Sequence, residues 1–156
     1  MPSRREFFLM SAAAVAFGSR AASAATESLK LSDAEWRKRL TAAQYAVLRQ
    51  AGTERPFTSP LLHEMRSGIF ACAGCDLSLF SSKTKFDSGT GWPSFWAPLE
   101  GAVAQARDSS LGMVRDAVAC MRCEGHLGHV FDDGPNPTGL RYCMNGVALK
   151  FSAAAA

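Results

Sequence analysis

Two pairs of cysteines constrain the fold of this chain more than any other feature of its sequence. Cys72 and Cys75 form one C-x-x-C motif, Cys120 and Cys123 form a second, and 44 residues lie between the two motifs. Zinc prefers four ligands in a tetrahedron, thiolates suit it, and each motif presents two sulfur atoms from one tight turn. We therefore predict one structural zinc ion bound by all four cysteines, with enough chain between the motifs for a whole sheet.

Two other uses of these four cysteines stay open from the sequence. Two disulfide bonds are plausible in an exported protein, and four thiolates also suit an iron site of the rubredoxin type. Rubredoxin knuckles usually continue with glycine, whereas Asp76 and Glu124 follow the two motifs here. Zinc is therefore the preferred interpretation.

The first 24 residues have the pattern of an export signal. Residues 3–8 (SRREFF) resemble a twin-arginine signal, residues 9–17 form a short apolar stretch, and residues 22–24 (ASA) fit the A-x-A cleavage pattern. We predict a signal peptide over residues 1–24, a mature domain over residues 25–156, and a periplasmic location. The alternative is a disordered alanine-rich tail with a chance arginine pair.

The charge of the chain excludes two classes of partner. The chain has 17 Lys and Arg residues against 14 Asp and Glu residues, and the first 24 residues hold three of the arginines and one glutamate. The remainder is nearly neutral and has no run of basic residues, so we expect no nucleic-acid binding. No apolar run approaches the roughly 20 residues that a membrane-spanning helix needs, so we expect no membrane span.

The local pattern predicts two short helices followed by many short strands. Residues 32–35 (SDAE) and 41–44 (TAAQ) both have the form of a capping box, which predicts helices over about 33–39 and 42–50, with Gly52 ending the second. Short apolar runs then alternate with clusters of Gly, Pro, Asp and Asn. These runs are 68–70, 77–80, 103–107, 113–119, 130–131, 140–144 and 147–151. We predict a mainly β fold of two packed antiparallel sheets with short peripheral N-terminal helices.

The fifth cysteine is the candidate nucleophile. A strand through residues 140–145 would place Arg141, Cys143 and Asn145 on one face. The positive charge of Arg141 would favour the thiolate, which is the reactive form of cysteine. On residue type alone, a small buried apolar residue is the more common role of a cysteine, but these polar neighbours favour the nucleophile.

Residues 125–131 (GHLGHVF) place His126 and His129 three positions apart. Their side chains would point to opposite sides of a regular strand, but a bulge or turn at Gly128 would bring both to one side. A histidine near a cysteine can activate the nucleophile or deliver a proton. Metal binding by both histidines and a purely structural role for His126 are the alternatives, and His63 is expected at the surface.

Residues 87–96 (DSGTGWPSFW) place two glycines and a proline around aromatic side chains. The pattern is typical of a rigid turn that displays Trp92 or Trp96, and such an apolar wall could hold a small methylated group. A turn that serves only to pack the core is the alternative.

Together these segments resemble the methionine sulfoxide reductase B family, which is specific for methionine-(R)-sulfoxide. The resemblance runs over about residues 32–151 and rests on five motifs in the family's order. These motifs are CAGC at 72–75, SGTGWPSF at 88–95, CMRC at 120–123, GHLGHVF at 125–131 and RYCMN at 141–145. The resemblance implies two antiparallel sheets with peripheral helices, and a structural zinc away from the active site.

The resemblance also implies a role for individual residues. The site it indicates consists of Cys143, His129, His126 and Asn145 as catalytic residues, and Trp92 and Arg141 as substrate-binding residues. Cys143 matches the cysteine that attacks the sulfoxide sulfur and becomes a sulfenic acid. His129 matches a histidine that handles the sulfoxide oxygen, with His126 as its companion. Trp92 matches the lining of the methyl pocket, and Asn145 matches a residue that orients substrate or water.

Thr90 departs from one common pattern of the family. Many members carry a resolving cysteine in a Gly-Cys-Gly-Trp-Pro turn, and this chain has Thr90 at that position. If zinc holds the other four thiols, no internal thiol remains to reduce Cys143, so we predict a single-cysteine cycle with an external thiol, thioredoxin-like or other, as reductant.

The expected substrate is oxidised methionine in proteins or peptides, and the expected form of the enzyme is a monomer. The rival interpretations are a non-catalytic zinc-ribbon binding module, which would not need a free Cys143, and a rubredoxin-like electron carrier.

Overall fold

The computed structural model describes residues 27–109 and 112–155, so the predicted signal peptide over residues 1–24 lies outside the described residues. The helices are α1 (Asp33–Arg39) and α2 (Ala42–Gln50), and the strands are β1 (Gly68–Cys72), β2 (Ser78–Ser81), β3 (Lys85–Phe86), β4 (Ser94–Phe95), β5 (Val103–Asp108), β6 (Arg115–Cys120), β7 (His126–Phe131), β8 (Arg141–Met144) and β9 (Leu149–Ala153). A 3₁₀ turn, Gly146–Ala148, leads from β8 into β9.

The described strands pair antiparallel in two sheets, one of three strands in the order β2-β1-β9 and one of six strands in the order β3-β4-β8-β7-β6-β5. The core lies between the sheets. Phe70 of β1 and Phe80 of β2 contact Phe95 of β4, with ring centroids 5.0 Å and 4.4 Å apart, and all three side chains are fully buried. The predicted fold of two packed antiparallel sheets is therefore confirmed.

Both helices form within the predicted bounds, because their capping boxes form. The side chains of Ser32 and Thr41 accept hydrogen bonds from the backbone of the third helical residue, and that residue's side chain bonds back. The end of α2 differs in detail: Ala51, with φ of 52°, takes the left-handed conformation, and Gly52 donates to the carbonyl of Ala46 at 2.9 Å. Neither helix of the described residues is long and apolar enough to cross a membrane.

Two strands were not predicted from the sequence, because each has only two residues. β3 and β4 are too short to show an alternation of apolar and polar residues, and β4 lies in the segment predicted as a turn. Its register on β8 pairs Ser94 with Cys143 and Phe95 with Tyr142. β7 is also longer than its predicted run, since it begins at His126 and so includes both histidines. The candidate site therefore lies on strands in the middle of the six-stranded sheet.

The helices pack against the two cysteine motifs. Trp36 of α1 and Leu48 of α2 are buried, and each lies 3.5 Å from the point that a Cβ on Gly74 would occupy. The guanidinium of Arg49 donates to the carbonyl of Cys123 at 2.9 Å. The N-terminal helices are thus peripheral to the sheets, as predicted, and they cover the cysteine motifs.

Candidate active site and metal centre

A bulge in β7 brings the two histidines to one side of the strand. Consecutive residues of β6 pair with Gly128 and with His126, so Leu127 is an extra residue between them. The extra residue reverses the alternation of side chains, and the rings of His126 and His129 lie 5.3 Å apart. The bulge predicted at Gly128 is therefore confirmed, with Leu127 as the inserted residue.

The register between β7 and β8 places His129 beside the candidate nucleophile. Gly128 pairs with Met144, and His129 pairs directly with Cys143. The two strands approach closely because residue 128 is a glycine: a Cβ there would lie 2.1 Å from the carbonyl oxygen of Cys143. Paired residues on neighbouring strands carry their side chains on the same face, so the imidazole of His129 and the thiol of Cys143 share a face.

A cavity of about 100 Å³ opens over this face. It is lined by Thr53, Trp92, Arg115, Gly128, His129, Phe131, Cys143 and Asn145. The cavity has room for the end of one side chain. Four of the six predicted site residues line it, namely Cys143, His129, Trp92 and Asn145, whereas His126 and Arg141 do not.

The indole of Trp92 is held by a residue that the sequence did not indicate. The indole N–H donates to the carbonyl of Glu54 at 2.9 Å. Glu54 also donates its own amide N–H to the side-chain oxygen of Asn145 at 2.8 Å, and its carboxylate accepts from the amide of Gly146 at 2.7 Å. Glu54 therefore joins the aromatic wall of the cavity to the end of β8, and it belongs to none of the motifs found in the sequence.

Asn145 does not take the outward position that a longer strand would give it. Strand β8 ends at Met144, and Asn145 is buried at the start of the 3₁₀ turn. Its amide nitrogen donates to the carbonyl of Leu127 at 2.9 Å, while its oxygen accepts from Glu54. Asn145 therefore lines the cavity and also braces the end of β8 against the bulge of β7.

Arg141 acts beside the cavity rather than in its wall. Its Nε and Nη2 atoms donate to the two carboxylate oxygens of Asp133 at 2.8 Å and 2.9 Å. The centre of the guanidinium lies 4.3 Å from the centroid of the Phe131 ring. Arg141 is thus held in one orientation two residues before Cys143, where its charge acts on the thiol.

Burial has the largest effect on the pKa of Cys143. Burial raises the pKa of the Cys143 thiol above its ordinary value, while a hydrogen bond with Thr90 and the charge of Arg141 oppose this shift. The predicted effect of Arg141 is therefore present, but desolvation of the thiolate is larger, so the neutral thiol is favoured. The hydroxyl of Thr90 lies 3.8 Å from the sulfur atom.

His129 is oriented by the carboxylate of Asp108, which lies on β5, the edge strand of the same sheet. Its Nε2 atom lies 2.9 Å from a carboxylate oxygen of Asp108, and Arg115 donates to the same oxygen at 3.3 Å. Asp108 and Arg115 are paired residues of β5 and β6. An opposite charge on each arm of a hairpin was the only sequence signal for this pair, and it has meaning only once the register is known.

His126 lies behind His129, away from the cavity lining. It is half-buried, and its Nε2 atom has no hydrogen-bond partner among the described residues. Burial, followed by the charge of His129, lowers the pKa of His126 to about 4. The imidazole of His126 is therefore neutral at pH 7. His63, which we expected at the surface, is exposed.

The four paired cysteines form a metal-binding cluster. Their sulfur atoms all lie within 4.8 Å of one another, and all four residues are buried. The sulfurs of Cys72 and Cys123 are 3.6 Å apart, and those of Cys75 and Cys120 are 3.5 Å apart. A tetrahedron with zinc–sulfur bonds of about 2.3 Å requires sulfur atoms about 3.8 Å apart, whereas a disulfide bond is about 2.05 Å long. The cluster therefore fits one tetrahedral metal ion, and none of the five cysteines, all of which are described, is in a disulfide.

The two cysteine motifs fold in the same way. After each motif one residue is left-handed, Asp76 with φ of 62° and Glu124 with φ of 58°. Their amides donate to the carbonyls of Cys72 and Cys120, both at 2.9 Å. The conformation that glycine favours is thus adopted without glycine, so the residue after each motif does not distinguish zinc from iron.

Comparison with known proteins agrees with this geometry. The model of the family described as the SelR domain matches residues 40–153. A relative from Agrobacterium fabrum, named peptide methionine sulfoxide reductase MsrB, is 57% identical over 121 residues, which cover 77% of this chain and 90% of the relative. Relatives of the same name from Pseudomonas putida and Leptospira interrogans are 58% and 54% identical, covering 75% and 77% of this chain and 89% and 92% of theirs. The chain therefore belongs to the family of peptide methionine sulfoxide reductases MsrB, which carry the SelR domain.

Proposed function

We propose that this chain reduces methionine-(R)-sulfoxide in proteins and peptides to methionine. The observation that carries the proposal is the cavity at which the thiol of Cys143, the imidazole of His129 and the indole of Trp92 meet. One chain supplies all three groups, so the proposed enzyme acts as a monomer. A zinc-ribbon binding module accounts for the cysteine cluster but gives no reason for a thiol at a separate cavity.

In the proposed reaction, three residues that line the cavity act directly on the sulfoxide. The sulfoxide methyl group rests against Trp92, and the sulfoxide oxygen faces His129, which delivers a proton to it as general acid. The Cys143 thiolate attacks the sulfoxide sulfur and forms a bond to it as the oxygen is protonated. The oxygen then passes to the Cys143 sulfur: a new bond forms between them, while the bonds from the methionine sulfur to the oxygen and to Cys143 both break and methionine leaves. Cys143 is thereby oxidised to a sulfenic acid as the sulfoxide is reduced.

Three further residues prepare the histidine and the pocket in this proposal. The Asp108 carboxylate at 2.9 Å holds the His129 ring in place. His126, neutral at pH 7 because burial lowers its pKa, packs against that ring and is not itself a proton source. Asn145 keeps β8 against β7, so the distance between nucleophile and acid is maintained.

The proposed cycle uses one cysteine. Thr90 contacts the Cys143 sulfur, and the other four thiols lie together in the metal cluster. An external thiol, thioredoxin-like or other, condenses with the sulfenic acid to release water and form a mixed disulfide, and a second thiol then restores Cys143. After one turnover without reductant, mass spectrometry should find oxygen on Cys143. A disulfide between Cys143 and a cluster cysteine would disprove this cycle.

Turnover on the two separated epimers of methionine sulfoxide tests the proposed function. The wild-type protein should reduce the R epimer alone. The Cys143→Ser variant should lose activity by about 10³-fold or more, because the nucleophile is removed. The metal content and circular dichroism of the variant should match wild type, as Cys143 lies outside the cluster. Activity on the S epimer, or an unaffected variant, would rule the assignment out.

We also propose that the metal is zinc and that the chain is exported to the periplasm by the twin-arginine route. Because this route carries folded proteins, the thiolates would bind zinc before export and be protected from oxidation. Replacing Arg4 and Arg5 by lysine should retain the protein in the cytoplasm, as measured by cell fractionation. Unchanged export of that variant would contradict the proposed route.

A further inference from the structure

Three hydroxyl groups form a chain that ends at the sulfur of Cys143. The side-chain oxygens of Ser94 and Ser88 are 2.7 Å apart, and those of Ser88 and Thr90 are 2.8 Å apart. Thr90 Oγ1 lies 3.8 Å from Cys143 Sγ. At the other end, the hydroxyl of Ser94 lies 3.1 Å from the carbonyl oxygen of Trp92. The hydrogen bonds of these three hydroxyls therefore run without a break from the carbonyl of Trp92 to the thiol of Cys143.

The backbone brings these hydroxyls together from one short segment. Ser94 lies on β4, is fully buried and pairs directly with Cys143 on β8. Thr90 lies in the turn before β4, between Gly89 with φ of 69° and Gly91 with φ of 91°. These left-handed conformations, which glycine adopts without strain, reverse the chain. The reversal places Thr90 beside the sulfur of Cys143, the residue with which Ser94 pairs.

The hydrogen bonds along the three hydroxyls can all point in either of two directions, because each hydroxyl has a single proton to donate. When Cys143 is protonated, the thiol donates to Thr90, and each hydroxyl then donates to the next as far as the carbonyl of Trp92. When Cys143 is a thiolate, the hydroxyls of Ser94 and Ser88 donate in the opposite direction, and Thr90 donates to the sulfur. No hydroxyl loses its acceptor in either state. The reversal exchanges the hydrogen bond from Ser94 to the Trp92 carbonyl for one from Thr90 to the thiolate, and a hydrogen bond to a charged group is the stronger of the two.

We propose that Thr90 donates a hydrogen bond to the Cys143 thiolate, and that Ser88, held by Ser94, is a positioning residue that keeps the Thr90 proton pointed at the sulfur. The inference deepens the proposed function, on which it rests, by assigning a direct role to the residue that replaces a resolving cysteine. The hydroxyl chain counteracts the burial that disfavours the charged form of the nucleophile.

Several charged or titratable groups also surround the thiol. They are Arg141 of β8 with its partner Asp133, His129 of β7, Arg115 of β6, Asp108 of β5, which reaches His129, and Glu54 of the loop before β1, which contacts Asn145. Substitution of Thr90 leaves all of these groups in place. A change in the titration of Cys143 in such a variant is therefore assigned to the hydroxyl.

Alkylation of Cys143 by iodoacetamide measures the thiolate directly and needs no methionine sulfoxide. The metal-loaded full chain is titrated across the range in which thiols ionise, and mass spectrometry verifies that Cys143 is the residue modified. Thr90→Val removes the hydroxyl at nearly constant volume, so the midpoint should rise by about one pH unit and the rate at pH 7 should fall about tenfold. The matched variant Thr90→Ser restores a hydroxyl and should return the midpoint to the wild-type value.

Ser88→Ala interrupts the chain but keeps Thr90, so it should raise the midpoint by a smaller amount, and it serves as the test if Thr90→Val does not fold. A Thr90→Val variant that titrates like wild type would overturn the proposal. So would a Thr90→Ser variant that shifts as far as Thr90→Val, since packing rather than the hydroxyl would then be responsible. Because alkylation is independent of turnover, a normal shift in a protein that reduces no sulfoxide would reject the proposed function alone.

Discussion

At the scale of single residues, burial of His126 makes the stability of the fold depend on pH. Its imidazole has a pKa of about 4 in the folded protein, against an ordinary value of 6.5. Between these two values the unfolded chain binds the proton and the folded protein does not, so stability falls as the pH falls from 6.5 towards 4. Above pH 6.5 the residue is neutral in both states and has no such effect.

Replacing His126 by phenylalanine should therefore reduce the loss of stability on acidification. The difference in the free energy of unfolding between pH 7 and pH 5 should be smaller than in wild type by about 1–2 kcal/mol, after allowance for solvent screening of this half-buried group. Urea denaturation of both metal-loaded proteins at each pH measures it. Contributions from the metal cluster and the carboxylates are common to both proteins and cancel. Identical pH dependence would show that His126 is not desolvated.

At the scale of secondary-structure elements, the pairing of β7 with β8 sets the geometry of the site. Cys143 faces His129 because Gly128 lets the two backbones approach. A Cβ on residue 128 would lie 2.1 Å from the Cys143 carbonyl and 3.0 Å from the Met144 Cα. Both of these are backbone atoms, which cannot move aside without disturbing the strand that carries Cys143.

We expect Gly128→Ala to separate β7 from β8. The free energy of unfolding should fall by about 2–4 kcal/mol, and most of the reductase activity should be lost, as measured by urea denaturation and turnover. Gly74→Ala is the matched control, because its Cβ would make ordinary contacts of 3.5 Å with Leu48 and Trp36. That control should stay within about 1 kcal/mol of wild type. Equally small effects of the two substitutions would contradict the argument from close approach.

At the scale of the whole molecule, the cysteine cluster joins the two sheets. The Cys72–Cys75 motif begins at the last residue of β1 in the three-stranded sheet, and the Cys120–Cys123 motif begins at the last residue of β6 in the six-stranded sheet. A metal ion held by all four thiolates cross-links elements that are distant in sequence, and the cluster contributes no residue to the cavity lining. A metal ion bound at this cluster would therefore stabilise the fold and take no part in the proposed chemistry.

Removal of the metal should destabilise the entire domain. Binding of a structural zinc ion contributes about 10 kcal/mol or more to folding in small zinc domains, so a strong chelator should abolish the cooperative thermal transition, and added zinc should restore it. Metal analysis should find one zinc ion per chain. The Cys143→Ser variant should keep wild-type metal content, whereas Cys75→Ser should lose it. A chelated protein that unfolds at the original temperature would show that the cluster is not structural.

Local sequence rules succeeded where neighbouring residues alone decide the structure. The two helices begin as predicted because each capping box joins only the N-cap residue and the third residue of its own helix. β3 and β4 were missed because a two-residue strand exists only through its partner, which for β4 is β8. The bulge in β7 could be predicted because a glycine lies between two histidines three positions apart, and a bulge is what brings both to one face.

The sequence by itself determined which four cysteines form the cluster and which cysteine is the proposed nucleophile, because C-x-x-C spacing and the motif around Cys143 are properties of adjacent residues. Only the tertiary structure decided that Asp108 orients His129 and that Glu54 holds Trp92, since these pairs meet from elements far apart in the chain. It also decided the sign of the shift at Cys143, where burial outweighs the charge of Arg141. Desolvation sums over every neighbour that folding brings near the thiol, and the order of residues along one strand does not contain that sum.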